Sequence, residues 1–261
     1  MTDRRTLIRA LALAALAFPA LAAAQPAAPR VAALSLVGDR LLVVGSQMST
    51  GSRLDRNARE VVALPDDGLD IAAAREAERA AKAIRPGLDI VPIRSRDPAV
   101  RSLHDEVVAG NRSLRDLAER VAPTLAPQGI THLLVLTRHR GEARIRVSDG
   151  AIGIGRLEGL GFYVDRWSRL RTADAGGSSG LGFLAPFAYI RASLVDLRTL
   201  AVLGEQVSAL AEALLTVETG QGVHPWDTLT AAEKSAALER FTARGLEAAL
   251  PALLAKLPPG K

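Results

Sequence analysis

The run His132-Leu-Leu-Val-Leu136 constrains the fold of this chain more than any other segment. Four consecutive apolar residues leave neither side of a strand suited to water, whereas a strand with one wet face alternates apolar and polar residues. The segment 131–137 is therefore expected to form a strand in the middle of a sheet. Leu134, near its centre, is expected to be buried.

Other segments have the composition of strands, and each is bounded by turn residues. They are residues 31–37, 41–45, 60–64, 88–93, 143–147, 187–197 and 201–210. The first three are short and follow one another closely, which predicts a β-meander. The last two are joined by the polar turn Arg198-Thr199, which predicts a hairpin.

Three segments have helical periodicity or helix-capping residues. Residues 70–84 place Ile and Ala on one stripe, whereas Ser113 with Asp116, and Thr230 with Glu233, form capping boxes at the start of the other two. Internal prolines predict that these two helices, near 113–126 and 230–256, are shortened or kinked. The expected class is α/β (α+β), with one mixed, largely antiparallel sheet covered by about three helices.

The N-terminus has the parts of a cleavable export signal. Basic residues precede an apolar run over 10–24, which ends in three alanines before Gln25. We expect a signal peptide at 1–24, a tether at 25–30 and a single α/β domain at 31–257, with a Gly-rich loop insertion at 171–182. Arg4-Arg5 fits the twin-arginine route as well as the general secretory route, and either predicts a periplasmic protein.

Composition excludes several classes of function. The chain has no cysteine, and therefore no disulfide, thiolate chemistry or cysteine zinc site. Its formal net charge of +5 falls to +3 without residues 1–24, too weak a balance for a nucleic-acid-binding protein. No segment after residue 24 has the 18 consecutive apolar residues of a transmembrane helix.

The order of elements between residues 70 and 210 resembles periplasmic α/β domains of the curli-secretion CsgG and TolB N-terminal type. The resemblance includes an apolar strand after the second helix and a hairpin turn of the form Val-Asp-x-x-Thr, here Val195 to Thr199. The lipidation cysteine of the pore-forming members is missing. The resemblance implies a role in envelope assembly or scaffolding, without catalysis.

Candidate catalytic motifs lack their structural context. Gly176-Gly-Ser-Ser-Gly180 matches G-x-S-x-G, but no apolar strand precedes it and no helix follows, so a flexible loop is expected. Gly153 to Gly159 has the wrong spacing for a dinucleotide-binding loop. The four histidines show no metal-ligand spacing, and His104-Asp105-Glu106 is interpreted as a polar loop. We therefore expect no metal and no cofactor.

One region has the composition of a binding surface. Residues 138–171 hold eight arginines against four acids, and six of the eight aromatic residues after residue 24 lie between 162 and 189. Arginine and aromatic side chains are enriched at interfaces. The alternative is that the aromatics are core and the arginines form the wet face of strands. The candidate binding residues are Arg144, Arg146, Arg156, Phe162, Tyr163, Arg166, Trp167, Arg169, Phe183 and Phe187.

The expected function is therefore non-catalytic: a periplasmic interaction or envelope-assembly protein that binds a protein or envelope partner through residues 138–191. The alternative is a hydrolase or small-ligand-binding protein whose site is assembled from scattered residues. A polar pocket with His104, His132 or His224 near carboxylates would favour that alternative.

Overall fold

The computed structural model describes residues 28–47, 57–171, 179–216 and 224–258. The strands are β1 (Arg30–Ser35), β2 (Arg40–Gly45), β3 (Ala58–Ala63), β4 (Asp89–Ile93), β5 (His132–Arg138), β6 (Arg140–Glu142), β7 (Ile145–Val147), β8 (Gly150–Ile152), β9 (Arg156–Arg171), β10 (Ser179–Asp196), β11 (Ala201–Ala211) and β12 (Leu215–Thr216). The helices are α1 (Gly68–Ile84), α2 (Pro98–Ala109), α3 (Leu114–Leu125) and α4 (Ala231–Leu254), and short 3₁₀ helices cover Ala126–Gln128 and Pro225–Thr228. The mixed α+β class is confirmed.

In the main sheet, β9 and β5 lie end to end along one side of the long strand β10. β10 pairs antiparallel with β9 through Tyr189 and Gly159, and then with β5 through Ile190 and Arg138. On the side of β5 and β9 that faces away from β10, β1 lies parallel to β5 and β2 lies parallel to β9. The outer positions are taken by β4 next to β1, and by β3 next to β2. The other side of β10 pairs with β11 and β12.

This arrangement corrects the expected β-meander. β2 and β3 do form an antiparallel hairpin, but β1 and β2 do not pair with each other. The strand is interrupted between Ser35 and Arg40. β2 then runs in nearly the same direction as β1, but it pairs with β9 where β1 pairs with β5. The sequence does not distinguish a hairpin from an interrupted strand, because a short turn between two apolar segments is expected in both.

The sheet is covered on both faces. One core joins α1 and α4 to β1, β5, β9 and β10, and it includes Leu134 at 0% exposure. A second core joins α2 and α3 to the other face of β1 and β5. A third lies under the β7–β8 hairpin. No helix within the described ranges is both long enough and apolar enough to span a membrane.

Helix α2 was missed in the sequence, where His104 to Glu106 was interpreted as a loop. Its start and end signals are present: Asp97 accepts a hydrogen bond from Ala99, Pro98 is the first helical residue, and Gly110 ends the helix at φ 80°. The capping boxes of α3 and α4 are confirmed. Both helices continue through their prolines, Pro123 and Pro251, which lie near their C-terminal ends.

Three expected segments lie wholly or partly outside the described residues. They are the signal peptide at 1–24, residues 25–27 of the tether and residues 172–178 of the loop at 171–182. Residues 179–182 belong to β10.

Candidate functional site

Arg138 is the last residue of β5, at the point along β10 where pairing with β5 ends and pairing with β9 begins. Its side chain is 4% exposed, and it forms ion pairs with Asp39 at 2.8 Å and with Asp105. The Nε atom lies 3.5 Å from Glu158. A buried guanidinium is held here by three carboxylates from three segments: the β1–β2 break, helix α2 and strand β9.

Arg138 forms part of a cleft of about 230 Å³, which we call the arginine cleft. Its lining consists of Arg40, Arg59, Arg138, Arg140, Arg156, Leu42, Val61, Glu158 and Leu160. Five arginines and one acid therefore line it. Arg40 donates to Asp105 at 2.6 Å, and Arg59 donates to the carbonyl of Arg156 at 3.1 Å. These contacts hold the guanidinium groups of Arg40 and Arg59 in place, as the ion pairs above hold that of Arg138.

The acid that anchors the cleft is held ionised. Partial burial favours the neutral form of Asp105, but hydrogen bonds from Arg40 and Arg138 outweigh this effect and lower its pKa. Asp105 is thus a fixed negative charge that orients two arginines of the cleft.

His104, the residue before Asp105, lies behind the cleft at 0% exposure. Its Nε2 accepts a hydrogen bond from the backbone N–H of Arg138 at 3.3 Å. Burial, with the nearby charge of Arg138, lowers its pKa to about 3. A neutral histidine bonded to the backbone and closed off from solvent supports the fold here and is not placed for acid–base catalysis.

A second polar centre ties α1 and α2 to the break between β1 and β2. The Asp70 carboxylate is 2% exposed and accepts hydrogen bonds from Ser35 Oγ at 2.7 Å, Val37 N at 2.8 Å and Gly38 N at 2.9 Å. It also pairs with Arg101 of α2 at 2.7 Å. These bonds satisfy backbone donors that the interrupted strand leaves unpaired.

A bulge in β9 exposes Arg166 and Trp167. The register between β9 and β10 shifts between Leu181 and Phe183, and Asp165 accepts from the N–H groups of Trp167 and Ser168 at 2.7 Å each. Such bulges redirect side chains out of a strand. Trp167 is 51% exposed, and the Arg166 guanidinium carbon lies 5.8 Å from its ring centroid.

These two residues border a shallow groove of about 470 Å³, which we call the tryptophan groove. Its lining consists of Val43, Gly45, Ser46, Gln47, Ala58, Arg59, Glu60, Val164, Arg166, Trp167 and His224. Arg59 of β3 lines both the tryptophan groove and the arginine cleft.

Four of the predicted binding residues are not on the surface. Phe162, Tyr163, Phe183 and Phe187 are at most 1% exposed. Phe162 packs against Trp226 with ring centroids 5.4 Å apart, and Tyr163 stacks on Phe183 at 6.0 Å. These residues are core, which corrects the binding hypothesis for them and favours its alternative. The error arose because clustering in sequence does not distinguish a buried sheet interior from a surface.

The predicted arginines are exposed but do not form one patch. Arg156 lines the arginine cleft and Arg166 lines the tryptophan groove, whereas Arg144 pairs with Glu142 at 3.4 Å and Arg146 pairs with Glu212 at 3.1 Å. The side chain of Arg169 lies outside the described part of the chain.

The sequence analysis left Arg40 and Arg59 out of the site, although both line the arginine cleft. They precede the arginine-rich stretch by about 80 to 100 residues, and only the pairing of β2 with β9 and of β3 with β2 brings them to it. The one signal in sequence is that each precedes a strand of the predicted β-meander, Arg40 before 41–45 and Arg59 before 60–64.

The alternative of a catalytic pocket gains no support from the histidines. His132 is largely buried and its Nδ1 lies 2.8 Å from Thr131 Oγ1, while His224 accepts from the N–H of Trp226 at the start of a 3₁₀ helix. Within the described ranges, no three His, Asp or Glu side chains are grouped as metal ligands. The Gly176–Gly180 motif lies partly outside these ranges.

A larger groove of about 750 Å³ lies between the C-terminal ends of α1 and α4. Its lining is mostly Ala, Pro and Leu, with Ile84 40% exposed at one edge. Arg85 in this lining bonds to the carbonyls of Leu254 and Pro258. The groove brings no set of polar side chains together.

No family model matches the sequence, and no curated protein matches it. Four chains of solved structures match, among them protein XCC0632 from Xanthomonas campestris, of the family DUF330. That protein is 11% identical, with 85% of this chain and 84% of that chain covered, at a TM-score of 0.33. We draw neither fold nor function from a likeness this low.

Proposed function

We propose that this protein is a non-catalytic interaction or assembly protein of the bacterial cell envelope, and that it binds an acidic protein partner at the arginine cleft. The observation that carries the proposal is the lining of that cleft, which holds five arginines and one glutamate. Two of the arginines, Arg40 and Arg138, are already paired with Asp39 and Asp105, so the excess of positive charge comes from the other three. Planar guanidinium groups bind carboxylates with two parallel hydrogen bonds, so such a cleft suits Asp and Glu side chains.

The shape and charge of the molecule favour a protein partner over nucleic acid. The cleft holds about 230 Å³, which is room for one or two carboxylate side chains, and a net charge of +3 after residue 24 is too weak a balance for a nucleic-acid-binding protein. The tryptophan groove beside it adds an exposed aromatic ring, a common anchor in protein interfaces. The envelope setting comes from the predicted export signal and from the resemblance to CsgG and TolB N-terminal domains.

The test is capture of cross-linked partners from envelope extracts by tagged protein. The double variant Arg140→Glu, Arg156→Glu reverses two charges of the cleft, and we expect it to lose at least about tenfold in captured partner, as fits a central ion-pair site. The double variant Arg115→Glu, Arg198→Glu is the matched control, because it also reverses two charges, and both residues are exposed and outside the lining of the cleft. Capture should also weaken with rising salt.

Two outcomes would contradict the proposal. Equal capture by the parent and the double variant would remove the cleft from the interaction. Equal loss in Arg115→Glu, Arg198→Glu would show that the effect comes from net charge and not from the cleft. N-terminal sequencing of the protein from cells tests the compartment separately, with Gln25 as the expected first residue.

A further inference from the structure

Strand β3 is an outer strand of the sheet. It pairs with β2, and within the described residues no strand pairs with its other side. Its side chains are mostly exposed, including Val61 at 60%. An open strand edge is a template for pairing with another chain, and proteins commonly block it with proline, charge or a covering segment.

The neighbouring outer strand shows such a block. β4 contains Pro92, which has no N–H to offer to an added strand. β3, with the sequence Ala-Arg-Glu-Val-Val-Ala, contains no proline. β3 carries the charged residues Arg59 and Glu60, but every residue of the strand keeps the backbone N–H that an added strand would use.

The hydrogen-bond register shows which groups point outward. Leu64 N–H donates to Asp39 O at 3.0 Å, and the pairing continues in register from Arg40 with Ala63. In an antiparallel ladder, alternate residues direct both backbone groups to the same neighbour. Val61 and Ala63 therefore point their N–H and C=O groups away from β2.

Each face of this edge has a depression. Arg59 and Val61 line the arginine cleft, and Ala58 and Glu60, which point to the other face, line the tryptophan groove. The side chain of Arg59 also reaches the lining of the tryptophan groove. A strand added beside β3 would place alternate side chains over the cleft and the groove.

We infer that β3 accepts an extended segment of the partner as an additional strand, with Asp or Glu at every second position over the arginine cleft and apolar side chains between them over the tryptophan groove. Main-chain pairing then supplies affinity, and the two depressions supply specificity. The inference rests on the proposed function, because it names the form in which the acidic partner binds.

The test uses a fluorescently labelled peptide of seven residues that alternates Glu and Val, with both ends blocked, and fluorescence anisotropy as the readout. Two N-methylated versions carry methyl groups on the Glu amides or on the Val amides. In an added strand only one of these sets faces β3, so one version should lose at least about tenfold in affinity while the other keeps it. The sensitive set also gives the strand orientation, since Glu amides face β3 in an antiparallel pair.

Val61→Pro provides the complementary change in the protein. The Val61 N–H points outward, so proline there removes a donor to the added strand without removing a bond to β2. We expect this variant to keep its melting temperature to within a few degrees and to lose peptide binding. Should it unfold, the pair of N-methylated peptides still decides the question.

The outcomes separate this inference from the proposed function. Absence of peptide binding to the parent, or equal affinity of both N-methylated peptides, overturns strand addition. If binding in the latter case still falls in Arg140→Glu, Arg156→Glu, the cleft binds carboxylates without an added strand and the proposed function stands. Equal binding of a peptide with Gln in place of Glu overturns the role of the arginine cleft.

Discussion

The imidazole of His104 occupies the place of a missing strand next to Arg138. The backbone bonds between β1 and β5 end with the one from Leu36 N–H to Leu136 O. The next N–H of β5 that points to the same side is that of Arg138, and it donates to His104 Nε2 at 3.3 Å. An acceptor at Nε2 requires the neutral ring. The pKa of about 3, set mainly by burial and next by the charge of Arg138, keeps the ring neutral at physiological pH.

His104 is therefore expected to make the fold sensitive to acid. Its folded pKa of about 3 lies below the unfolded value of 6.5, so the unfolded chain binds the proton first as pH falls. Its contribution to the free energy of unfolding is complete above pH 6.5 and lost as pH falls toward 3, by up to about 5 kcal/mol. Urea unfolding at a series of pH values measures this loss.

The control is His104→Gln, which keeps an acceptor and removes the titration. We expect the variant to be less stable at pH 7 but to lose less stability than the parent between pH 6 and 4. Asp39, Asp105, Arg101 and Arg138 surround the ring and are present in both proteins, so the difference isolates the histidine. Parallel pH profiles for the two proteins would contradict this account.

Asp70→Ala is expected to destabilise the fold by about 3–5 kcal/mol, because it leaves buried backbone donors and Arg101 without their acceptor. Asp66→Ala is the matched control. Asp66 accepts one exposed bond, from Gly68 N–H, and its loss should cost about 1 kcal/mol or less. Chemical denaturation of both variants gives the comparison, and similar midpoints would show that the Asp70 contacts contribute little.

Most of the fold was predictable from sequence, because its elements are marked by local patterns. The apolar run at 132–136 predicted a central strand, and β5 is buried along its whole length. Capping boxes located α3 and α4 because the same side chains that close the first turn are visible in the sequence. The partnership of β1 with β5 and of β2 with β9 was not predictable, since strand pairing between distant segments leaves no local pattern.

The candidate site was less predictable, for the same reason. Arg156 was identified from the local density of arginine, but Arg40 and Arg59 reach the cleft only through the pairing of β2 with β9. Phe162 and Phe187 were placed on the surface because β9 and β10 are buried on both faces, and such strands show no alternation by which an inward side could be recognised.

Gly161→Ala is expected to destabilise the fold by about 2–3 kcal/mol or more, because an added methyl group overlaps its neighbours. A Cβ there would lie 1.9 Å from Leu42 O and 2.7 Å from the ring of Phe187. Gly87→Ala is the control, since a Cβ at Gly87 meets nothing within 4 Å. Thermal unfolding should separate the two variants clearly, and equal melting temperatures would mean that β2 and β9 move apart at little cost.

Arg138→Met tests whether the buried guanidinium holds the cleft and the strand junction together. Methionine fills similar volume but removes the cation that Asp39, Asp105 and Glu158 share, and leaves Arg40 as the remaining partner of Asp39 and Asp105. We expect a loss of about 3–5 kcal/mol at pH 7. Arg140→Met, in the exposed part of the same cleft, should cost about 0.5 kcal/mol or less.

The pH dependence of this loss distinguishes charge from packing. In the parent, hydrogen bonds from Arg40 and Arg138 outweigh the opposing effect of burial and hold the Asp105 pKa below its usual value, so these contacts stabilise the fold above about pH 4. Protonation below that pH removes the repulsion among the three acids of the variant. The difference in free energy of unfolding between parent and Arg138→Met should therefore narrow as pH falls from 7 to 3, in urea titrations at each pH. A difference that stays constant would assign the role of Arg138 to packing alone.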